Sequence, residues 1–200
     1  MATFNPAINP HNFPVPESIE TERLLIRPFN SEDALQLHQA LLESIDELRQ
    51  YLWFLPWLTV EPTLEAAATR CKSAESNFRQ RLDLPYLAFE RTTGRLIGSV
   101  GLHRTDWEIP KTEVGYWIRT SEQSLGFATE GVNAITSWAL HELEAKRVEL
   151  ISDEENAASR RVAEKCGFVL EGIHRNTSLA PDGSLRHDCV YARYQNQPLP

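Results

Sequence analysis

The chain has 200 residues, 42% hydrophobic and 24% charged, proportions that belong to one globular core and exclude a fibrous or disordered chain. Its net charge of −8, from 28 acidic and 20 basic residues, argues against a nucleic-acid partner and suits an amine-bearing substrate as well as plain solubility. Cys71, Cys166 and Cys189 are too few and too far apart for a disulfide framework or a zinc site, so no metal is expected and a reducing cytoplasm fits.

In chain order, residues 1–20 hold Pro6, Pro10, Pro14 and Pro16 and no Lys or Arg, and they read as a loose arm. A secretory leader needs a basic start and an unbroken apolar stretch, and no run approaches the roughly 20 apolar residues of a membrane span. No membrane partner is expected. The domain is expected over 21–195, with 196–200 as a short tail.

RLLIRPF (23–29) predicts a strand, and Ser31 with Glu32 and Asp33 predicts the cap and acidic first turn of a helix to about residue 44. The aromatic stretch around YLWFLPWL (51–58) reads as helix end and loop, and Thr63 caps a second helix to about residue 81. LPYLAFE (84–90) and RLIGSVGLH (95–103) form a hairpin around Arg91, Thr92, Thr93 and Gly94, and TEVGYWIR (112–119) adds a third strand.

A helix follows, with Val132, Ile135, Ala139 and Leu143 on one face, and then the strand RVELIS (147–152). Asn156 opens another helix that Gly167 ends. FVLEGIHRN (168–176) and HDCVYARYQ (187–195) close the chain around a Pro181-Asp182-Gly183 turn. The class is α+β: a mixed twisted sheet of six to seven strands with about four helices, in the order β-α-α-β-β-β-α-β-α-β-β.

Three stretches carry chemistry. In QSLGFAT (123–129) a loop turns into a helix through Gly126 and Ala128, so unpaired first-turn amides and the helix dipole could meet an anion with no bulky side chain between. An ordinary strand-to-helix connection explains the same residues. No GK[ST] or GxGxxG is present, which excludes a P-loop and a Rossmann fingerprint. In ENAASRRVAEKCGF (155–168), Asn156 is an N-cap and Ser159 sits in the first turn, toward the end of the preceding strand. In TEVGYWIR, Glu113, Gly115 and Trp117 share one face and Val114, Tyr116 and Ile118 the other, and a mid-strand glycine marks a bulge or a close approach. No GxSxG elbow or HExxH is present.

Together the three stretches resemble the GNAT superfamily of acetyl-CoA-dependent N-acetyltransferases, whose phosphate loop Gln/Arg-x-x-Gly-x-Gly/Ala is matched by Gln123, Gly126 and Ala128. EVGYWI, GFATEGV, NAASRRVAEKCGFVLEG and HDCVYARY, with RLLIRPF and YLWFLPWL, resemble the RimJ/RimL-like subgroup over about residues 20–194. That subgroup includes ribosomal-protein N-terminal acetyltransferases.

The resemblance implies a GNAT fold with acetyl-CoA as co-substrate and no metal. The backbone of Trp117, Ile118 and Arg119 would pair with the pantetheine arm, and the amides of Gln123, Ser124, Leu125, Gly126, Phe127, Ala128 and Thr129 would hold the pyrophosphate. Asn156 would hydrogen-bond the pantetheine, and Ser159 would protonate the departing sulfur.

Glu113 is the candidate base or a salt-bridged strand residue. His103, at a strand end, is the other candidate and stands with the acceptor-side set. Tyr51, Trp53, Phe54 and Trp57 pack the helical layer on the sheet or, in part, line the acceptor groove. Some relatives carry a Glu after the "EG" strand, and HRNTSLAPDG has none. Cys166 reads as a core thiol. The expected acceptor is the N-terminal α-amine of a protein or peptide; a small amine such as a polyamine or an amine-bearing antibiotic, or acetyl-CoA binding without turnover, are the alternatives. A homodimer is implied by family habit alone.

Overall fold

The computed structural model describes residues 9–195; residues 1–8 of the expected arm and the expected tail, 196–200, lie outside the described residues. Two short strands, β1 (Ile19–Glu20) and β2 (Leu24–Pro28), lead into helices α1 (Ala34–Leu52) and α2 (Leu64–Gln80). Strands β3 (Leu84–Glu90), β4 (Leu96–Asp106) and β5 (Lys111–Ile118) follow as a meander, then α3 (Phe127–His141), β6 (Arg147–Asp153) and α4 (Ala157–Lys165). The long hairpin of β7 (Val169–Leu179) and β8 (Leu185–Tyr194) ends the described chain.

The eight strands among the described residues form one sheet in the order β1-β2-β3-β4-β5-β6-β8-β7. The extra strand relative to the expected six to seven is β1, which the prolines around it hide from a strand reading. The described part of the arm is docked rather than loose. Phe13 packs on Trp107 with ring centres 5.1 Å apart, and the Tyr86 hydroxyl donates to the Pro16 carbonyl at 3.2 Å.

Each face of the sheet carries a helical layer. Val132, Ile135 and Ala139 of α3 and Ala163 of α4 pack with Tyr86, Val100, Val114 and Tyr191 on one face. Leu37, Leu41 and Leu48 of α1 and Cys71 of α2 pack with Leu87, Phe89 and Trp117 on the other. Helix α1 runs eight residues past its expected end, because Leu37, Ala40, Leu41, Ser44 and Leu48 continue one buried stripe and the first proline comes at position 56. Its approach is capped by Asn30 rather than Ser31: the Asn30 side chain accepts from the Glu32 amide at 3.0 Å, and Asp33 answers from the other side. Thr63 caps α2 as expected, accepting from the Ala66 amide at 3.1 Å.

Candidate active site

Strands β5 and β6 are parallel neighbours over three registers, Lys111↔Arg147, Thr112↔Val148 and Glu113↔Glu149. Beyond Glu113 both strands continue but no longer pair, so the sheet opens from inside. Along its other edge β5 stays paired with β4 as far as Ile118, and the Arg119 amide donates to the Ile97 carbonyl at 2.8 Å. Antiparallel alternation therefore turns the backbone groups of Gly115 and Trp117 toward β4, and those of Val114, Tyr116 and Ile118 toward the opening. Of Trp117, Ile118 and Arg119, the three expected to offer their backbone, Ile118 alone does so; the other two are engaged by β4. A groove of about 2020 Å³ follows the opening.

One end of the groove reaches the start of α3. Gly126 has φ +87° and Ser124 φ +60°, so two left-handed residues with Leu125 between them curl the loop around its own amides. Phe127 anchors the turn in the core while residues 123–126 stay exposed. The first-turn amides of Phe127, Ala128 and Thr129 have no intrahelical acceptor. The Gln123 side chain donates to Glu47 on α1 at 2.7 Å, fixing the loop's entry.

Arg23 braces this turn. Its guanidinium donates to the Leu125 carbonyl at 3.0 Å and to Glu130 at 2.6 Å, and lies 4.4 Å from the centre of the Phe127 ring. A carbonyl held toward Arg23 turns the next amide, Gly126 N–H, the opposite way across the trans peptide. Burial opposes charge on Glu130, yet bonds from Thr21 and Arg23 outweigh it and hold the carboxyl below the usual range.

Asn156 and Ser159 meet at the start of α4. The Asn156 side chain accepts from the Ser159 amide at 3.0 Å, so it does cap the helix, and its amino group is left over for another partner. The Ser159 hydroxyl accepts from the Tyr116 hydroxyl at 3.1 Å. Burial pushes the Tyr116 phenol up to about 12. Cys166 is buried against α3, its thiol pushed up to about 11 by burial, and it donates to the Thr129 carbonyl at 3.4 Å, the behaviour of a core thiol.

The other face of the opening carries the remaining candidates. His103 sits on β4 with its Nδ1 2.8 Å from each oxygen of Asp83, just ahead of β3. Its ring covers Gly115: a Cβ there would stand 2.9 Å from the ring Cδ2 and 3.1 Å from Nε2. The close approach that a glycine in this strand signalled is thus made by a ring, and the ladder runs unbroken through Gly115. Glu113, read as the candidate base or a salt-bridged strand residue, stands opposite His103 in the ladder and is ion-paired with Arg104, the next residue along β4.

Tyr51, Trp53 and Trp57 all line the groove. Trp57 leans on Trp117, ring centres 6.4 Å apart, and lies 4.0 Å beneath the Arg70 guanidinium. Arg186 of β8 reaches between the rings of Tyr51 and Trp53, at 5.9 and 5.8 Å, while both Asp153 oxygens accept from it at 2.8–2.9 Å. Asp83, Glu113, Asp153 and Asp188 give this end of the groove an acidic lining.

Sequence reasoning missed Arg23, Glu130, Tyr116, Asp83 and Arg186. Their partners are 20 to more than 100 residues away, so no local spacing announces them. Among the described residues no helix is long and apolar enough to cross a membrane.

A family model described as an acetyltransferase (GNAT) domain matches residues 23–169. A Bacillus subtilis protein named "Putative ribosomal N-acetyltransferase YdaF" is 31% identical over 171 residues, 85% of this chain and 90% of that protein. A solved structure of RimL, described as a ribosomal L7/L12 alpha-N-protein acetyltransferase in complex with coenzyme A, superposes with a TM-score of 0.80 at 21% identity, covering 89% of this chain and 97% of that one. The ribosomal-protein-S5-alanine acetyltransferase of Vibrio fischeri gives 0.78 at 19% identity, with 92% and 99% covered. At these identities the structural likenesses establish the fold.

Proposed function

The chain belongs to the GNAT acetyltransferase family, and from that premise we propose that it carries acetyl from acetyl-CoA to the N-terminal α-amine of a protein or peptide. The observation that carries the reading is the opening between β5 and β6, which meets the unpaired amides at the start of α3 in one continuous groove.

The residues present suit that co-substrate. The backbone edge of Val114, Tyr116 and Ile118 matches the amide groups of a pantetheine arm. The amides of 124–129, at a helix N-terminus with no side chain at Gly126, suit a pyrophosphate. Asn156 offers its free amino group to the arm. Acetyl-CoA supplies an activated thioester and a thiol leaving group.

The Tyr116 amide, which faces the opening beside Gly115, is the donor for the carbonyl oxygen as charge grows on it, and one such donor is worth about 3 kcal/mol. Ser159 gives its proton to the departing sulfur; because its oxygen already accepts from Tyr116, its own hydrogen is directed elsewhere.

The groove is open, and Tyr51, Trp53 and Trp57 line it. An α-amine titrates near ~7.7–8.0 against ~10.4 for a lysine, so it is much the easier acceptor to deprotonate. Relatives named for ribosomal-protein acetylation support the same acceptor class. The acidic lining favours a second reading, a small polyamine.

A panel of N-terminal peptides, lysine peptides, polyamines and aminoglycosides, assayed by mass spectrometry, tests the assignment. Acetylation confined to α-amines supports it. Transfer to small amines alone would move the assignment to the second reading, and acetyl-CoA binding without any transfer would favour a non-catalytic module.

A further inference from the structure

We infer that the Asp83–His103 pair is the proton acceptor for the incoming amine, with His103 Nε2 as the catalytic atom and Asp83 as its positioning residue. The inference rests on the acetyl-transfer reading and names the base within it.

Geometry carries it. Nδ1 lies 2.8 Å from both oxygens of Asp83, so an ionised Asp83 accepts the Nδ1 proton and leaves the lone pair on Nε2. The ring lies over two glycines: a Cβ at Gly101 or at Gly115 would stand 3.1 Å from Nε2. Gly115 is flanked by Val114 and Tyr116, whose backbone faces the opening, so the ring stands where β5 and β6 part.

His103 shares a sheet face with Gly115 and Trp117, whereas Tyr116 points through the other face to Ser159. An amine arriving from the Trp57 side therefore meets Nε2 first, with the sulfur end of the site beyond the strand. Glu113, directly across the ladder from His103, is held by Arg104.

The balance closes without another reactant. The ammonium gives one proton to Nε2, and the freed nitrogen pair forms the bond to the acyl carbon. The C–S bond breaks with its electrons on sulfur, which takes a proton from Ser159. The second proton on nitrogen restores Ser159, and the imidazolium returns its own to solvent.

The test compares wild type with His103→Gln, Asp83→Asn and Gly115→Ala, using the peptide acceptor that wild type modifies best. It records kcat/KM from pH 5.5 to 9, acetyl-CoA affinity by titration calorimetry, and the imidazole tautomer by ¹⁵N NMR. The charged groups around the ring are Asp83, Glu113 with Arg104, and Arg70 of α2, whose charge reaches Asp83.

His103→Gln is expected to lose about 10²-fold or more in kcat/KM, with acetyl-CoA affinity unchanged. Asp83→Asn should lose less and shift the tautomer. Gly115→Ala, which keeps both groups but displaces the ring, should lower kcat. Wild-type rates in His103→Gln, or a free-protein spectrum showing the proton on Nε2, would overturn the pair's role while leaving acetyl transfer standing. Wild type that binds acetyl-CoA but modifies no amine would overturn both.

Discussion

The Tyr116 hydroxyl, on the interior strand β5, donates to the Ser159 hydroxyl in the first turn of α4 across 3.1 Å, beside the opening between β5 and β6. The bond fixes which way the serine proton is offered. Ser159→Ala is expected to lower kcat about 10²-fold, the lower end for a proton-transfer group. Tyr116→Phe should lose about fivefold, one net hydrogen bond, with the acetyl-CoA KM unchanged. With its phenol pushed up to about 12, Tyr116 stays neutral across the assay range and adds no limb to the pH profile. Steady-state kinetics at saturating acceptor would check all three expectations.

Arg23 acts on the phosphate loop through the Leu125 carbonyl and Glu130. Replacing it with Met keeps much of its apolar contact with Phe127 but frees the carbonyl, and acetyl-CoA should bind about tenfold more weakly, a charge-assisted bond's worth. Gly126→Ala adds a side chain at φ +87°, costing roughly 1–2 kcal/mol of backbone strain or a flipped turn. Calorimetric titration of acetyl-CoA reads both. Unchanged affinity in both variants would remove the loop from the binding site.

Asn156 has two jobs that substitution separates. Aspartate keeps an acceptor for the Ser159 amide but has no amino group, so Asn156→Asp should fold as stably as wild type and bind acetyl-CoA more weakly. Asn156→Ala should also lose about 1 kcal/mol of stability with the cap. Thermal melts beside calorimetry distinguish the two. Equal affinity in all three proteins would leave Asn156 with the cap alone.

Glu43 on α1 ties down the segment leaving β5. Burial opposes its ionisation, yet bonds from the Ser121 and Arg119 groups outweigh it and bring the carboxyl down to about 2. A folded-state value below the unfolded one, about 4.3, adds stability above pH ~4.5 that is lost as pH falls toward 2. Wild type should therefore melt higher than Glu43→Gln at pH 7, and the gap should narrow between pH 4.5 and 2. A gap that stayed constant to pH 2.5 would contradict the assignment.

Among the described residues, seven of the eight strands and the four α-helices were legible in the sequence, because their periodicity and their Thr63, Asn156 and Gly167 caps are local signals. Strand β1 was not, since two residues pairing with Leu25 and Ile26 carry no period of their own. The site divides along the same line. Gly126, Asn156 and Ser159 announce themselves by spacing within one turn of chain. The Tyr116, Arg23 and Asp83 roles depend on which strand lies beside which. Period two placed Tyr116 opposite Glu113, but the register that brings it to Ser159 exists only in the assembled sheet. Glu113 shows the converse: a carboxylate on the expected face, with a neighbour, Arg104, that the pattern did not foretell.

The most direct measurement of the central claim is residue-level amide hydrogen exchange by NMR, with and without acetyl-CoA. If the opening holds the pantetheine arm, added acetyl-CoA will slow exchange at Ile118 and Tyr116 and across 124–129. Arg119, whose amide already donates to Ile97, will change little, as will Gly115 and Trp117, which face β4. Protection confined to other parts of the chain, or spread evenly along β5, would contradict the account.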